Sequence, residues 1–283
     1  MVRNLEWHAA NGDVIKFSHS KPFLLERFYP GTPGASAEIV KAIRIAGQKT
    51  YHVNAEPLTP SMTGSMHAKS QKELDNLRRR LQAALNPLHF GLLIYNNHAG
   101  SFRLQCRPLT GAEISARIGS AHKIDIEWIS DEAYWTAQAE SKLNVGERKK
   151  SWRFPWVIKP TVFCQIMNKG YIHNPTQISV MPVISISQTE SEKVTIGNSS
   201  ISAYTTITQK IAPEERLELD MSIPSARLIC SDGSAQDVTH WITLDSTFPW
   251  ALLPGENEIY ADADNPDMTP IITLRWRLPE VGI

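Results

Sequence analysis

The sequence predicts a mainly β protein of two domains, an amino-terminal β-sandwich-like domain with one α-helix and a carboxy-terminal β-sandwich or jelly roll. Three observations predict this class. At 283 residues the chain exceeds the usual span of a single domain, and each half is long enough to bury its own core. A single stretch, about residues 70–85, has the apolar period of a long helix. Elsewhere short apolar runs alternate with Gly, Pro and Asn at intervals too short to hold helices. An alternating βαβ enzyme fold would need many helices, so the pattern speaks for packing and assembly rather than for cradling a nucleotide.

The elements follow in chain order. Val14–Phe17, Phe23–Leu25 and Ile39–Ile45 read as strands, separated by the turn-rich Tyr29–Gly34. In the helix, Leu74, Leu77, Leu81, Ala84 and Leu85 recur at helical spacing. Ser70 with Glu73 forms a capping box at its start. Asn86 before Pro87 ends it, because a residue preceding proline is pushed out of the α region. Gly91–Tyr95, Phe102–Arg107 and Ser120–Ile129 read as further strands. In the last of these Ile124, Ile126 and Trp128 alternate with Lys123, Asp125 and Glu127, as in a sheet with one wet face.

The stretch 137–151 is charged and poor in apolar residues, so it reads as a linker between domains at 1–136 and 152–283. Beyond it, strands are predicted at Val194–Ile196, Ser199–Thr208, Arg216–Leu219, Ala226–Cys230, Asn257–Ala263 and Ile271–Leu278. Turns are predicted at Gly197-Asn198 and Asp232-Gly233.

Composition narrows the function. The 29 basic and 29 acidic side chains cancel, which removes the footprint of a nucleic-acid reader. Three dispersed cysteines, Cys106, Cys164 and Cys230, lack metal-site or disulfide spacing and read as small buried hydrophobes. No apolar run is long enough to insert in a membrane, and the first residues lack the apolar core of a signal peptide, so the expectation is folding in the cytoplasm with release by a route such as lysis.

Motifs of chemistry are weak. Gly47-Gln48-Lys49-Thr50 lacks the first glycine and the Gly-Lys pair of a phosphate loop, and reads as a hairpin turn. Asp262, Asp264 and Asp267 resemble the start of a calcium loop, but Pro266 and Thr273 break the ligand spacing. Nine scattered histidines form no ligand pair, no nucleophile elbow is present, and carboxylate pairs such as Glu214-Glu215 read as solvated edge charge. No cofactor, metal or catalytic residue is therefore expected. Arg78-Arg79-Arg80 reads as a solvated helix face. Trp241 and Trp250 form a candidate sugar-stacking platform, weighed against core tryptophans of a sandwich.

Several blocks in order carry a resemblance. They are Leu85-Asn86-Pro87 with Gly91-Leu92-Leu93-Ile94-Tyr95, then Asp131 to Trp135, then Asn168-Lys169-Gly170 and Asn174-Pro175, then Glu215 to Asp220. Last comes Leu252-Leu253-Pro254-Gly255-Glu256-Asn257-Glu258-Ile259, where Pro254-Gly255 turns the chain and Asn257 can bond its own backbone. With these the chain resembles the siphovirus distal tail (Dit) family from about Ile43 onward.

The resemblance implies a structural, non-enzymatic virion protein of the tail tip or baseplate. It implies a ring-forming belt domain followed by a galectin-like β-sandwich. It also implies a homo-hexamer whose partners are the tail tube protein, a tail-tip or tail-associated protein and receptor-binding proteins, with no reading of nucleic-acid sequence and no membrane insertion. The segment Gln48–Met66, including Tyr51, Val53, Pro57, Met62 and Met66, is then the expected arm that embraces the next subunit. The alternative is a carbohydrate-binding module that contacts cell-wall glycans through Trp241 or Trp250. An enzyme would need a convergent polar cluster in a pocket.

Overall fold

In the computed structural model the described residues are 4–40, 49–115, 121–146, 148–150, 164–166, 168–189, 191–264 and 270–283. The chain divides into two units, Met1–Ala139 with Pro279–Ile283, and Glu140–Leu278. The predicted strand Ile39–Ile45 is described only to Val40, and Gln48, Asp267 and part of the expected linker lie outside the described residues.

Unit 1 contains β1 (Asn4–His8), β2 (Val14–Phe17), β3 (Phe23–Tyr29), β4 (Ala35–Val40), β5 (Lys49–Ala55), β6 (Ser61–His67), α1 (Gln71–Ala84), β7 (Gly91–Asn96), β8 (Ser101–Pro108), β9 (Glu113–Ile114), β10 (Ala121–Ile129) and β11 (Trp135–Ala137). The main path runs β2-β1-β7-β8-β10-β6-β3, and every neighbouring pair on it is antiparallel. Its two ends are consecutive in sequence. The Ser18 amide donates to Phe23 O at 3.1 Å, and the Leu25 amide donates to Ser18 O at 2.7 Å. The sheet therefore folds back on itself and hides its edges.

Alternation fills the interior. Leu5 and Trp7 of β1, Met62 and Met66 of β6, Leu93 and Tyr95 of β7, and Ile124, Ile126 and Trp128 of β10 all enter one core. Trp7 and Trp128 lie 6.1 Å apart, and Trp7 Nε1 donates to Ala84 O at 2.8 Å, so the core aromatic also holds the end of the helix. A β-carbon at Gly91 would sit 2.6 Å from the Trp7 ring, so glycine is what lets the indole lie across β7.

The helix buries Leu74, Leu81, Ala84 and Leu85, and Leu77 packs at their margin. Ser70 caps it by accepting from the Glu73 amide at 3.2 Å; the Glu73 carboxylate in turn reaches the Lys69 amide rather than that of Ser70. Arg80 remains exposed but also serves the neighbouring strand. Its guanidinium grips the Asp13 carboxylate at 2.6 and 2.8 Å and donates to Val14 O at 3.1 Å, occupying the rim of β2. That bond holds the Asp13 carboxyl below its ordinary range.

Unit 2 contains β12 (Ser141–Val145), β13 (Arg148–Lys150), β14 (Cys164–Ile166), β15 (Lys169–Asn174), β16 (Val183–Thr189), β17 (Val194–Asn198), β18 (Ala203–Ile207), β19 (Ile211–Asp220), β20 (Ser225–Ile229), β21 (Ala235–Asp237), β22 (Gly255–Ala263) and β23 (Ile271–Trp276). A six-stranded sheet, β12-β23-β16-β19-β20-β21, and a four-stranded sheet, β15-β22-β17-β18, contribute to a single core. The six-stranded sheet supplies Ile184, Ile186, Leu217, Leu219, Ile272 and Leu274, and the four-stranded sheet supplies Ile172, Ile196, Ile259 and Ala261. Among the described residues β13 and β14 pair only with each other. The last strand, β24 (Pro279–Glu280), pairs with β11 in unit 1.

Two sequence expectations change here. Residues 137–151 are not simply a linker, because Ser141–Val145 forms an edge strand paired to β23 with Val145 fully buried. The stretch is charged because Lys142 and Asn144 take the wet face while Leu143 and Val145 alternate inward. Residues 279–283 do not stay in the second domain, since β24 returns to unit 1.

The Leu252–Ile259 motif has a direct physical meaning. Asn257, fully buried, accepts from the Leu253 amide at 2.9 Å and donates to Leu253 O at 2.8 Å and to Gly255 O at 3.1 Å, locking the turn that Gly255 makes at φ +91°. Its oxygen also accepts from Asn198 Nδ2 at 2.8 Å. Asn174, equally buried, donates to Ile178 O and Leu252 O, so three asparagines hold the turns at one end of the sandwich.

Two outcomes test this account. Asn257→Ala strands the Leu253 amide and the Asn198 amide group, and is expected to lower unfolding free energy by about 3 kcal/mol in urea titration, with Leu252→Ala costing a similar amount by creating a cavity. The second concerns Glu132, whose amide donates to Ser130 Oγ at 2.9 Å. Although the residue as a whole is exposed, partial desolvation raises its carboxyl above the ordinary glutamate value, with Arg103 opposing and Asp131 adding to the shift. The charged form is therefore penalised in the folded state: the cost is absent below the ordinary value, grows as pH rises through the interval, and is complete above the folded value. Glu132→Gln is expected to melt at a higher temperature than the parent at pH 7, with the difference vanishing in acid below about pH 4.

Candidate functional site

Strands β4 and β5 form a ribbon that bonds to no other strand among the described residues. The register Ala35↔Ala55, Ser36↔Asn54 and Ala37↔Val53 sets its two faces, because directly paired residues in an antiparallel ladder share a side. Ala35, Ala37, Val53 and Ala55 fall on one face; Ser36, Glu38 and Asn54 fall on the other. All of these side chains are exposed, Val53 at 64%. An amphipathic ribbon is thus presented with its apolar face uncovered.

The base of the ribbon is fixed where its tip-ward strands are not. The Glu56 amide donates to Gly34 O at 2.9 Å, closing the root. Beyond it the Leu58 amide donates to Glu132 O, the Ser130 amide to Leu58 O and the Trp128 amide to Pro60 O, and Leu58 is buried. On the other strand, Trp135 Nε1 donates to Pro30 O at 2.9 Å and stacks edge-on against Phe28 at 6.2 Å. A ribbon so clamped is an arm with a rigid shoulder.

This corrects the sequence expectation of an arm at Gln48–Met66. The described ribbon is Ala35–Val40 paired with Lys49–Ala55. Gln48 lies outside the described residues, Tyr51 contributes its backbone to β5, Val53 is on the apolar face, and Pro57 is exposed at the root. Met62 and Met66 are not arm residues. They are 3% and 0% exposed, because β6 is hydrogen-bonded on both sides, to β10 and β3, and its even-numbered residues face the core. Pro57 and Pro60 mark where the arm ends rather than where it extends.

The tryptophan platform is also overturned. Trp250 is 3% exposed inside the unit 2 core, and its Nε1 donates to Thr205 Oγ1 at 3.1 Å, so neither ring face is open. Trp241 is half-buried against the same core within the short turn Thr239–Trp241, edge-on to His240 at 6.2 Å. Trp250 is thus a core tryptophan of the sandwich, and Trp241 packs at the margin of that core.

One surface escaped sequence reasoning, the outer face of the four-stranded sheet. Strand alternation places Lys169, Tyr171 and His173 of β15 on it, with Glu256, Glu258, Tyr260 and Asp262 of β22. Thr195 and Gly197 of β17 and Tyr204 of β18 complete it. Lys169 pairs with Glu258, and His173 with Glu256 at 2.8 Å. A cavity of about 260 Å³ lies at one end of this face, lined by Lys193, Thr195, Asp262, Ala263 and Asp264. A second, of about 180 Å³, lies in unit 1 between Trp7, Ala9–Asn11 and the end of α1.

Among the described residues no three His, Cys, Asp or Glu side chains converge as a metal site. Asp262 and Asp264 instead accept main-chain amides, of Ala263 at 3.0 Å and Glu192 at 3.3 Å. Cys106 is buried and its thiol is pushed far above its usual range, chiefly by burial and also by the Glu132 charge, which leaves it an inert hydrophobe.

Residues 176–277 match the family model described as "Siphovirus-type tail component, C-terminal domain". No curated protein sequence matches the chain. Among solved structures, the SPP1 Dit (gp 19.1) protein, described as a paradigm of the hub adsorption apparatus in Gram-positive infecting phages, aligns with a TM-score of 0.68 at 9% identity over 99% of this chain and 100% of that one. A chain of the phage P2 baseplate in its activated conformation with Ca aligns with a TM-score of 0.61 at 9% identity, and one of the phage p2 baseplate with Sr at 0.57 and 9%, each over the full length of both chains. Residues 176–277 are thus similar to a siphovirus-type tail component domain, and the chain as a whole shares the fold of the SPP1 Dit protein.

Proposed function

We propose that this chain is a structural protein of the virion, the distal tail hub at the tail tip or baseplate of a siphovirus, joining the tail tube to proteins that meet the host. The observation that carries the reading is the arm. Among the described residues its apolar face finds no partner, and a two-stranded ribbon with both faces in water is marginal by itself. A second copy of the chain supplies the missing surface. The contact is heterologous, because the arm of one subunit meets a different surface of the next, and heterologous contacts that close produce rings. Six copies is the number proposed, following the family resemblance.

In this reading unit 1 forms the ring and unit 2 carries the outward attachments. Tail tube protein, tail-tip or tail-associated protein and receptor-binding proteins are its neighbours. The chain's work is to hold surfaces together, with no bond made or broken. The neutral overall charge suits stacking many copies in a small volume without mutual repulsion.

Native mass measurement of the full chain over a range of concentrations tests the proposal. The expected outcome is a sixfold assembly whose mass does not change on dilution. Replacing Ser36–Asn54 by a short Gly-Ser connector is expected to leave a folded monomer; an unchanged hexamer refutes the role of the arm. Val53→Asp is the milder version. It is expected to change unfolding free energy by no more than about 0.5 kcal/mol, as for an exposed site, while weakening assembly at least about tenfold.

A further inference from the structure

We propose that the outer face of the four-stranded sheet in unit 2 is an oligosaccharide-binding surface, with Tyr260 and Tyr171 as stacking rings and Asp262, Thr195 and Lys193 as hydrogen-bonding groups. The register places Lys169, Tyr260, Gly197 and Tyr204 in one row across four strands. Gly197 has no side chain, and the Tyr260 ring occupies that space: a β-carbon at Gly197 would fall 2.6 Å from Cε1 and 2.7 Å from Cζ of Tyr260. The ring is thereby held against the sheet, half-buried, with its remaining surface turned to solvent. Tyr204 stands on the far side of Gly197, its hydroxyl reaching Asp245 at 3.5 Å. Tyr171 is 68% exposed on the edge strand, in the row of Glu258.

The next row along the sheet is Asp262, Thr195 and Thr206, and there the cavity opens. Tyr260 and Asp262 are two residues apart on β22 and point the same way. A ring wall therefore adjoins a pocket offering carboxylates, a hydroxyl and an ammonium. This is the combination of apolar body and few convergent polar groups that a ligand site needs. A pyranose presents CH groups on its faces and hydroxyls at its rim, which suit the Tyr260 ring and the polar row of Asp262 and Thr195 beside it.

Charge and shape select among ligands. Lys169 and His173 are already engaged by Glu258 and Glu256, and Asp245, Asp262 and Asp264 rim the face. A phosphate-bearing polymer is repelled by that rim, and the face has no exposed aliphatic row to bury against a protein. A neutral or N-acetylated oligosaccharide fits. Four strands at the usual spacing extend ~14 Å, enough for several sugar units laid across them.

The test is an array of neutral and N-acetylated bacterial oligosaccharides probed with the full chain, followed by titration calorimetry with the strongest ligand. Binding by the parent chain is expected, with Tyr171→Ala and Asp262→Asn each weakening it by about tenfold or more and leaving the melting temperature in place. Tyr260→Ala uncovers Gly197 and so probes fold and binding together, which is why the two exposed positions decide. An array without signal overturns the proposal, and so does an affinity that survives both substitutions. Assembly read by native mass is unaffected by these variants, so a failure here is distinguishable from a failure of the ring.

Discussion

A β-ribbon of two strands has no inside. The larger sheets answer that constraint in two ways, unit 1 by curling its sheet until the ends meet at Ser18 and unit 2 by laying one sheet over another, whereas the β4–β5 ribbon leaves the problem unsolved among the described residues. The unsolved case is the informative one. Hydrophobic surface left in water is unfavourable in proportion to its area, so a clamped ribbon with an apolar face is a stored affinity. Its shoulder, built from Leu58, Pro60, Trp128 and Trp135, keeps the arm from folding back to satisfy itself.

Much of the fold was legible because alternation and helical period are local. The β10 pattern of Ile124, Ile126 and Trp128 and the leucine face of α1 emerged as read. What the sequence hid has physical causes. β6 reads Ser-Met-Thr-Gly-Ser-Met-His, a poor strand by propensity, and it is held in place by two neighbours rather than by its own residues. β12 is masked by its wet face, and β15 by Gly170, a residue disfavoured within strands, which here lets Leu143 approach within 2.7 Å of the site of its absent β-carbon. Tertiary pairing overrides local preference in each case.

The site was less legible than the fold. The family resemblance suggested an arm at Gln48–Met66, and its location slipped because Pro57 and Pro60 follow the β4–β5 ribbon instead of belonging to it. Tryptophans suggested a sugar platform, whereas Trp250 spends its indole nitrogen on Thr205 inside the core. The tyrosine row across Lys169, Tyr260, Gly197 and Tyr204 joins four strands, from residue 169 to residue 260, and only register brings them into line. Asn257 was different: its self-bonding turn was readable, since an asparagine two residues after Pro-Gly has few other uses.

The return of Pro279–Glu280 to pair with β11 means that unit 2 interrupts unit 1 in the chain rather than following it. Its entering strand β12 and leaving strand β23 lie side by side, so the two crossings between units occur close together. Such an arrangement behaves like a socket: an unrelated module with neighbouring ends can replace the insert while the host framework keeps its own pairing intact.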